Sequence, residues 1–228
     1  MVVIHDWRTG LVQAVAIGNE LGPRRTGAIG GVAVDVLARP GAAQIAVIGT
    51  GTQAWAQLRA ICAVRALGGA RIWSRTGDRS ERFAQRARDE LGVDARPALS
   101  AEHAVRDAGI VVLATSSPVP VIDAAWIAEG CHVTSLGPKQ RGRAELDPAP
   151  AERADVLVTD SLAQVRAYQP PFVLEGSRHM DRLVSLGSVI EGRSAGRAQP
   201  GEVTLFCSVG LAGTEVYLLA ELIRRHQP

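Results

Sequence analysis

The sequence predicts an α/β protein organised around a doubly wound parallel sheet. Three observations carry this. From residue 44 onward, short apolar runs alternate with longer stretches of helical periodicity, the pattern of repeated βαβ units. The runs are apolar at nearly every position, as a sheet covered on both faces requires. Apolar residues make up 46% of 228 positions, enough core for one large domain, or for one domain and part of a second.

Composition removes several function classes. Lysine plus arginine number 25 and aspartate plus glutamate 23, so the net charge of +2 provides no basic field for nucleic acid. Lys139 is the sole lysine. No apolar run approaches the roughly 18 residues of a membrane span, and the first ten residues do not make a signal peptide. Cys62, Cys131 and Cys207 lie far apart, with neither metal spacing nor an even framework. They point to a reducing compartment and a cytoplasmic protein. The five histidines do not cluster, and none is assigned to a metal.

Residues 2–4 and 11–17 read as short strands joined by a turn at Arg8-Thr9-Gly10. A helix is expected over 25–39, with Gly27, Gly30 and Gly31 marking close backbone packing. A buried-type strand follows at 44–48. A helix over 53–67 is stopped by Gly68-Gly69, and a second strand covers 71–73. A helix over 79–91 is closed by Gly92, and Ser100 caps a short one reaching 107. Further strands are expected at 110–114, 133–136 and 155–159. Residues 170–201, rich in glycine and proline, read as loops with a small helix at 180–186. A last strand at 202–206 and a helix over 211–225 complete the chain, with Arg224, Arg225 and His226 suited to that helix's C-terminal dipole.

The turn after the 44–48 strand carries the chemistry. Gly49-Thr50-Gly51-Thr52-Gln53-Ala54 fits G-x-G-x-x-A between a strand and a helix, the context of a Rossmann-like dinucleotide site. Gly49 permits the tight turn, Gly51 lets backbone approach a pyrophosphate, and Ala54 keeps helix near strand. The helix N-terminus then presents unpaired N–H groups and a positive dipole end, and Thr52 and Gln53 join the glycines as expected cofactor contacts. A sheet-packing turn is the plainer alternative. At the end of the second strand, a carboxylate for ribose hydroxyls is missing. Ser74, 23 residues after Gly51, is followed by Arg75 and Thr76. An arginine between two hydroxyls suits a 2′-phosphate and favours NADP over NAD. Thr115, Ser116 and Ser117 fall at the carboxyl edge of a strand, where cofactors lie in such sheets. Leu136 and Gly137 complete the expected cofactor set.

Six blocks in order, RRTGAIGGVAV, IGTGTQAWAQL, RIWSRTGDRSERFA, VVLATSS, LGPKQRGRAELD and VTLFCSVGLAG, make the chain resemble the ornithine cyclodeaminase/mu-crystallin family. The resemblance implies a nucleotide-binding domain at 40–200. It also implies a remnant of a substrate and dimerisation domain at 1–39, to which 201–228 returns. The long N-terminal segment of family members is expected to be represented only by its last part. A homodimer and a small imine or amino-acid substrate are implied as well. Arg25 matches the arginine that grips the substrate carboxylate, and Thr26 a residue near the cofactor phosphates.

Three departures matter. Counting back from Glu145-Leu146-Asp147 puts Lys139 where the cyclodeaminase branch has a catalytic aspartate. An ammonium cannot accept that proton unless burial depresses its pKa. Glu215 stands where an aspartate is usual. The family's N-terminal lysine and arginine for the substrate have no counterpart. Lys139 therefore carries two readings, an exposed polar loop residue, or a substrate-facing cation or proton donor. Arg141 and Arg143 read as solvated loop charges. The expected function is an NADP-dependent oxidoreductase acting on an imine or amino acid. The alternatives are a cyclodeaminase releasing ammonia and a catalytically impaired cofactor-binding protein. A short-chain dehydrogenase is excluded, because neither Tyr168 nor Tyr217 has a lysine four residues on.

Overall fold

Short apolar strands that bury both faces need layers on either side, and the chain supplies them. The structure, a computed structural model, describes residues 1–211 and 213–226. Strands β1 (Val2–His5) and β2 (Val12–Ala16) form an antiparallel hairpin, its turn held by the Asp6 carboxylate accepting from the Arg8 and Thr9 N–H groups. Helix α1 (Leu21–Leu37) starts four residues before the expected point. Pro23 falls in its first turn, where no N–H is needed, so proline does not delay the helix.

There follow β3 (Gln44–Ile48), α2 (Thr52–Val64), β4 (Gly69–Trp73), α3 (Gly77–Leu91), β5 (Ala95–Pro97), α4 (Ala101–Val105), β6 (Ile110–Leu113) and β7 (His132–Ser135). A small hairpin of β8 (Lys139–Gln140) and β9 (Arg143–Ala144) precedes α5 (Ala149–Arg153), β10 (Val156–Thr159) and α6 (Leu162–Arg166). The chain ends with β11 (Leu183–Ser185), α7 (Leu186–Ile190), β12 (Thr204–Cys207) and α8 (Thr214–His226). Eight strands form one sheet in the order β11-β10-β12-β7-β6-β3-β4-β5, every pair parallel.

Alternate residues of each strand feed different layers. Ile45, Val47, Ile72 and Val112 pack with α2 and α3 residues such as Leu58, Ile61 and Ala84 on one face. Ala46, Ile48, Leu113 and Val133 pack with Ala104 and Val105 of α4 on the other. α1 lies along α2 at backbone contact. A Cβ on Gly27 would fall 2.5 Å from the Ala56 carbonyl oxygen, and one on Gly31 3.1 Å from that of Ala60. The helix glycines are therefore spacers.

Several expectations change. α2 ends at Val64, because Arg65 turns extended and its guanidinium donates to the Val34 and Asp35 carbonyls of α1. Gly69 thus begins β4 rather than ending a helix. The helix expected at 180–186 is a 3-10 turn, the edge strand β11 and the start of α7. Leu183 and Val184 pair with Leu157 and Val158, and Ser185 caps α7 by accepting from the Ser188 N–H. The strand assigned to a returning C-terminal segment lies inside the main sheet, β12 pairing with β10 and β7, and all four of its residues are buried. Only α8 leaves the sheet, to contact α1, β1 and β2. It begins at Thr214 rather than at 211, and the role expected of the His226 side chain lies outside the described residues. Among the described residues, no helix is long and apolar enough to cross a membrane.

One buried polar cluster ties α1 to the sheet. Thr204 Oγ1 donates to the Leu37 carbonyl at 3.1 Å and meets His132 Nδ1 at 2.8 Å, while His132 Nε2 lies 2.9 Å from Thr134 Oγ1. With the Thr204 hydrogen used on Leu37, the imidazole proton belongs on Nδ1. Burial first, then the positive charges of Arg197 and Arg65, push His132 from 6.5 down to about 3. The unfolded chain therefore binds a proton that the folded chain refuses. Stability from this group is complete above the unfolded pKa and falls as pH drops towards 3, by at most about 1.4 kcal/mol per pH unit. Urea unfolding between about pH 4.5 and 7 should give a shallower pH slope for His132→Gln than for the parent. Equal slopes would contradict the burial of a neutral imidazole.

Candidate functional site

Strand order reverses at β3, whose neighbours β4 and β6 continue in opposite directions. Ligands in such sheets bind outside the carboxyl ends at that point. The chain leaves Ile48 at Gly49, with φ of 114°. Gly49 N–H donates to the Trp73 carbonyl at 2.8 Å, and a Cβ there would lie 2.3 Å from the Ala114 carbonyl oxygen. Both the dihedral and the contact exclude a side chain. Gly51 is the N-cap of α2, with no side chain closing the helix end and open space where a Cβ would point. The first N–H groups of α2 are thus left to an external anion.

This turn forms one wall of a cleft of about 730 Å³. Gly49, Gly51, Thr52, Gln53, Ser74, Arg75, Thr76, Thr115, Ser116, Ser117, Leu136 and Gly137 all line it. Ala54 is fully buried beneath the turn, in the packing position expected of it. The Gln53 side-chain oxygen is buried without a partner, an acceptor that a ligand hydroxyl would satisfy. At the β4 end, Ser74 Oγ donates to the Thr76 carbonyl at 2.8 Å and shapes the loop. Arg75 and Thr76 are exposed to the cleft, and Arg79, not anticipated from sequence, adds a second guanidinium from α3. Val119, Val121 and Trp126 add apolar side chains to the lining. Uncapped N–H groups, guanidiniums and apolar side chains around one cleft fit a nicotinamide dinucleotide.

Other expected site residues lie elsewhere. Thr26 does not reach the cleft. Its hydroxyl donates to the Gly22 carbonyl, and its own carbonyl accepts from Gln57 Nε2. Arg25 Nε donates to Glu215 Oε1 at 2.8 Å, and its NH2 group bonds the same oxygen. Arg25 borders a separate, mostly apolar cavity of about 290 Å³ with Asp160, Ile29, Leu186 and Tyr217. The exposed reading of Lys139 fails, since the residue is fully buried and Nζ donates to the Gly137 carbonyl at 2.6 Å. It borders a polar cavity of about 510 Å³ with Gln140, Gln164 and Tyr168. Burial lowers the Lys139 pKa against the opposing pull of Glu145, Cys207 and Asp160. Burial also raises the Tyr168 phenol, with the Asp160 charge adding to it.

Two buried carboxylates were not anticipated as site residues. Asp160, at the end of β10, accepts from Ser208 Oγ, Val209 N–H and Gly210 N–H at 2.9, 2.8 and 3.1 Å, fixing the loop after β12. A carboxylate closing an apolar strand, as in VLVTD, was its sequence signal. Glu145 accepts from groups at the ends of both β6 and β7.

A family model described as the ornithine cyclodeaminase/mu-crystallin family matches residues 1–226. An uncharacterized cyclodeaminase of Sinorhizobium fredii is 34% identical over 96% of this chain and 68% of its own length. A Delta(1)-pyrroline-2-carboxylate reductase of Bacillus cereus is 32% identical over 99% of this chain and 71% of its own. The solved Delta(1)-pyrroline-2-carboxylate reductase of Thermococcus litoralis, in complex with NADH and L-proline, superposes with a TM-score of 0.88. It is 30% identical over 98% of this chain and 71% of its own.

The cleft depends on the Gly49 turn. Gly49→Ala is expected to lower unfolding free energy by about 2–4 kcal/mol through strain and overpacking, and to abolish dinucleotide affinity in any protein that remains folded. Denaturant titration and calorimetry measure the two effects. An alanine variant of parental stability would refute the close approach.

Proposed function

This chain belongs to the ornithine cyclodeaminase/mu-crystallin family, and on that premise we propose that it is an NADP-dependent oxidoreductase acting on the C–N bond of an imine or amino acid. The observation that carries the reading is the cleft at the sheet's switch point, with its uncapped helix end and glycine turn. The bound nucleotide would supply a hydride to the imine carbon, and the imine nitrogen would take a proton. A cyclic ketimine acid is the favoured substrate class, after the reaction named for the relatives.

The chain's own residues have distinct tasks in this proposal. Thr52, Gln53 and the α2 N-terminus hold the diphosphate, while Arg75, Arg79 and Thr76 hold the 2′-phosphate. Arg25 grips the substrate carboxylate through its guanidinium fork, which requires Glu215 to give way. Lys139 is the proton source, because burial weakens its hold on the proton. An ammonium at this position disfavours a cyclodeaminase, whose reaction needs a carboxylate base there. We propose further that residues 1–39 and α8 belong to the substrate and dimerisation part, and that the working form is a cytoplasmic homodimer. Trp7 and Ile17, 84% and 88% exposed, give the hairpin face a reason to associate.

Purified protein is expected to oxidise NADPH in the presence of Δ1-pyrroline-2-carboxylate or a related cyclic ketimine. Arg75→Ala should raise the KM for NADPH about tenfold and leave that for NADH unchanged. No turnover over a broad ketimine panel, with NADPH bound, would refute the reaction, and an equal effect on both cofactors would refute the phosphate assignment. Light scattering should return twice the chain mass, and a clean monomer would contradict the dimer.

A further inference from the structure

The Glu145 carboxylate collects five hydrogen bonds in a fully buried position. Oε2 accepts from Thr115 N–H at 2.9 Å and Thr115 Oγ1 at 2.8 Å. Oε1 accepts from Ser135 Oγ at 2.9 Å, Leu136 N–H at 3.0 Å and Gly137 N–H at 2.5 Å. Its backbone joins the same two loops. Glu145 N–H donates to the Pro138 carbonyl and its carbonyl accepts from Val121 N–H, both at 2.9 Å. The fit is tight, since a Cβ on Gly137 would lie 2.3 Å from Oε2 and 2.3 Å from the Thr115 carbonyl oxygen.

These bonds decide what the cleft offers beside the ends of β6 and β7. Thr115, Leu136 and Gly137 line the cleft, yet their N–H groups all point inward to Glu145. What remains to line the cleft there is the Leu136 side chain and the bare Gly137 Cα. That is a low, apolar floor, suited to a flat heteroaromatic ring and unsuited to a phosphate. Gly137 is pinned on both sides of its residue, N–H by Glu145 and carbonyl by Lys139 Nζ. A glutamine could not replace Glu145, because its NH2 group would face N–H or hydroxyl donors on whichever side it pointed.

We propose that Glu145 is a positioning residue for the nicotinamide half of the cofactor, acting through the Thr115 and Leu136-Gly137 backbone rather than by touching the ring. The assignment rests on the nucleotide reading of the cleft. It separates the cleft into an adenosine half, independent of Glu145, and a ring half that depends on it.

Calorimetry of the full chain with two ligands tests this, NADPH and 2′-phospho-ADP-ribose, which lacks the ring. In Glu145→Gln, NADPH affinity is expected to fall about tenfold or more while the fragment stays within about twofold. Ser135→Ala removes one of the five donors with little change of shape. It should weaken NADPH about threefold and spare the fragment. Equal losses for both ligands, or an unchanged NADPH affinity, would overturn the assignment. If Glu145→Gln does not fold, Ser135→Ala decides alone, and parental NADPH affinity there overturns it. A parent protein that binds neither ligand would bring down the nucleotide reading itself, and a parent that binds both while the variants match it would bring down only the role of Glu145.

Discussion

The closeness of two backbones governs the functional edge of this protein. The turn after β3 passes the end of β6 so tightly that a single methyl at Gly49 would sit 2.3 Å from the Ala114 oxygen. From that contact follow the angle at which α2 leaves the sheet, the exposure of its first N–H groups and the width of the cleft. The same economy recurs behind α2, where Gly27 and Gly31 let α1 lie at backbone distance. Replacing hydrogen by methyl at such places forces backbone apart, and packed interiors yield little.

Charge plays the second organising role. Three ionisable side chains, Lys139, Glu145 and Asp160, are buried at the carboxyl edge of the sheet. Burying a charge is costly unless hydrogen bonds replace the lost water. Here they do, and most of the bonds are made to loops. Glu145 gathers the loops after β6 and β7, Asp160 the loop after β12, and Lys139 the Gly137 carbonyl. Loops that would otherwise be the mobile part of an α/β protein are held in one geometry, which is the preorganisation a bound cofactor needs.

Sequence reading recovered what local pattern encodes. The β3–α2–β4–α3 unit, the Gly49-Thr50-Gly51 turn and the Ser74-Arg75-Thr76 segment lie within consecutive residues, and the structure gathers the glycines and that segment around one cleft. What escaped depends on residues far apart in the chain. Nothing local says that Thr204-Leu205-Phe206-Cys207 pairs with both 132–135 and 156–159. Glu145 served only to anchor a motif, because its donors sit up to thirty residues away. Of the two readings of Lys139, the exposed loop residue fails for the same reason, since the β8–β9 hairpin that carries it is two residues per strand and too short to leave a period. Arg79 was missed because it falls one helical turn beyond the Ser74-Arg75-Thr76 segment, inside what read as an ordinary charged helix.

A crystal structure grown with NADPH would show the cleft at work. Density is expected for the diphosphate over the Thr52 and Gln53 N–H groups, with the 2′-phosphate between Arg75 and Arg79 and the nicotinamide against Leu136 and Gly137. An empty cleft at saturating NADPH, or a nucleotide seated anywhere else on the molecule, would contradict it.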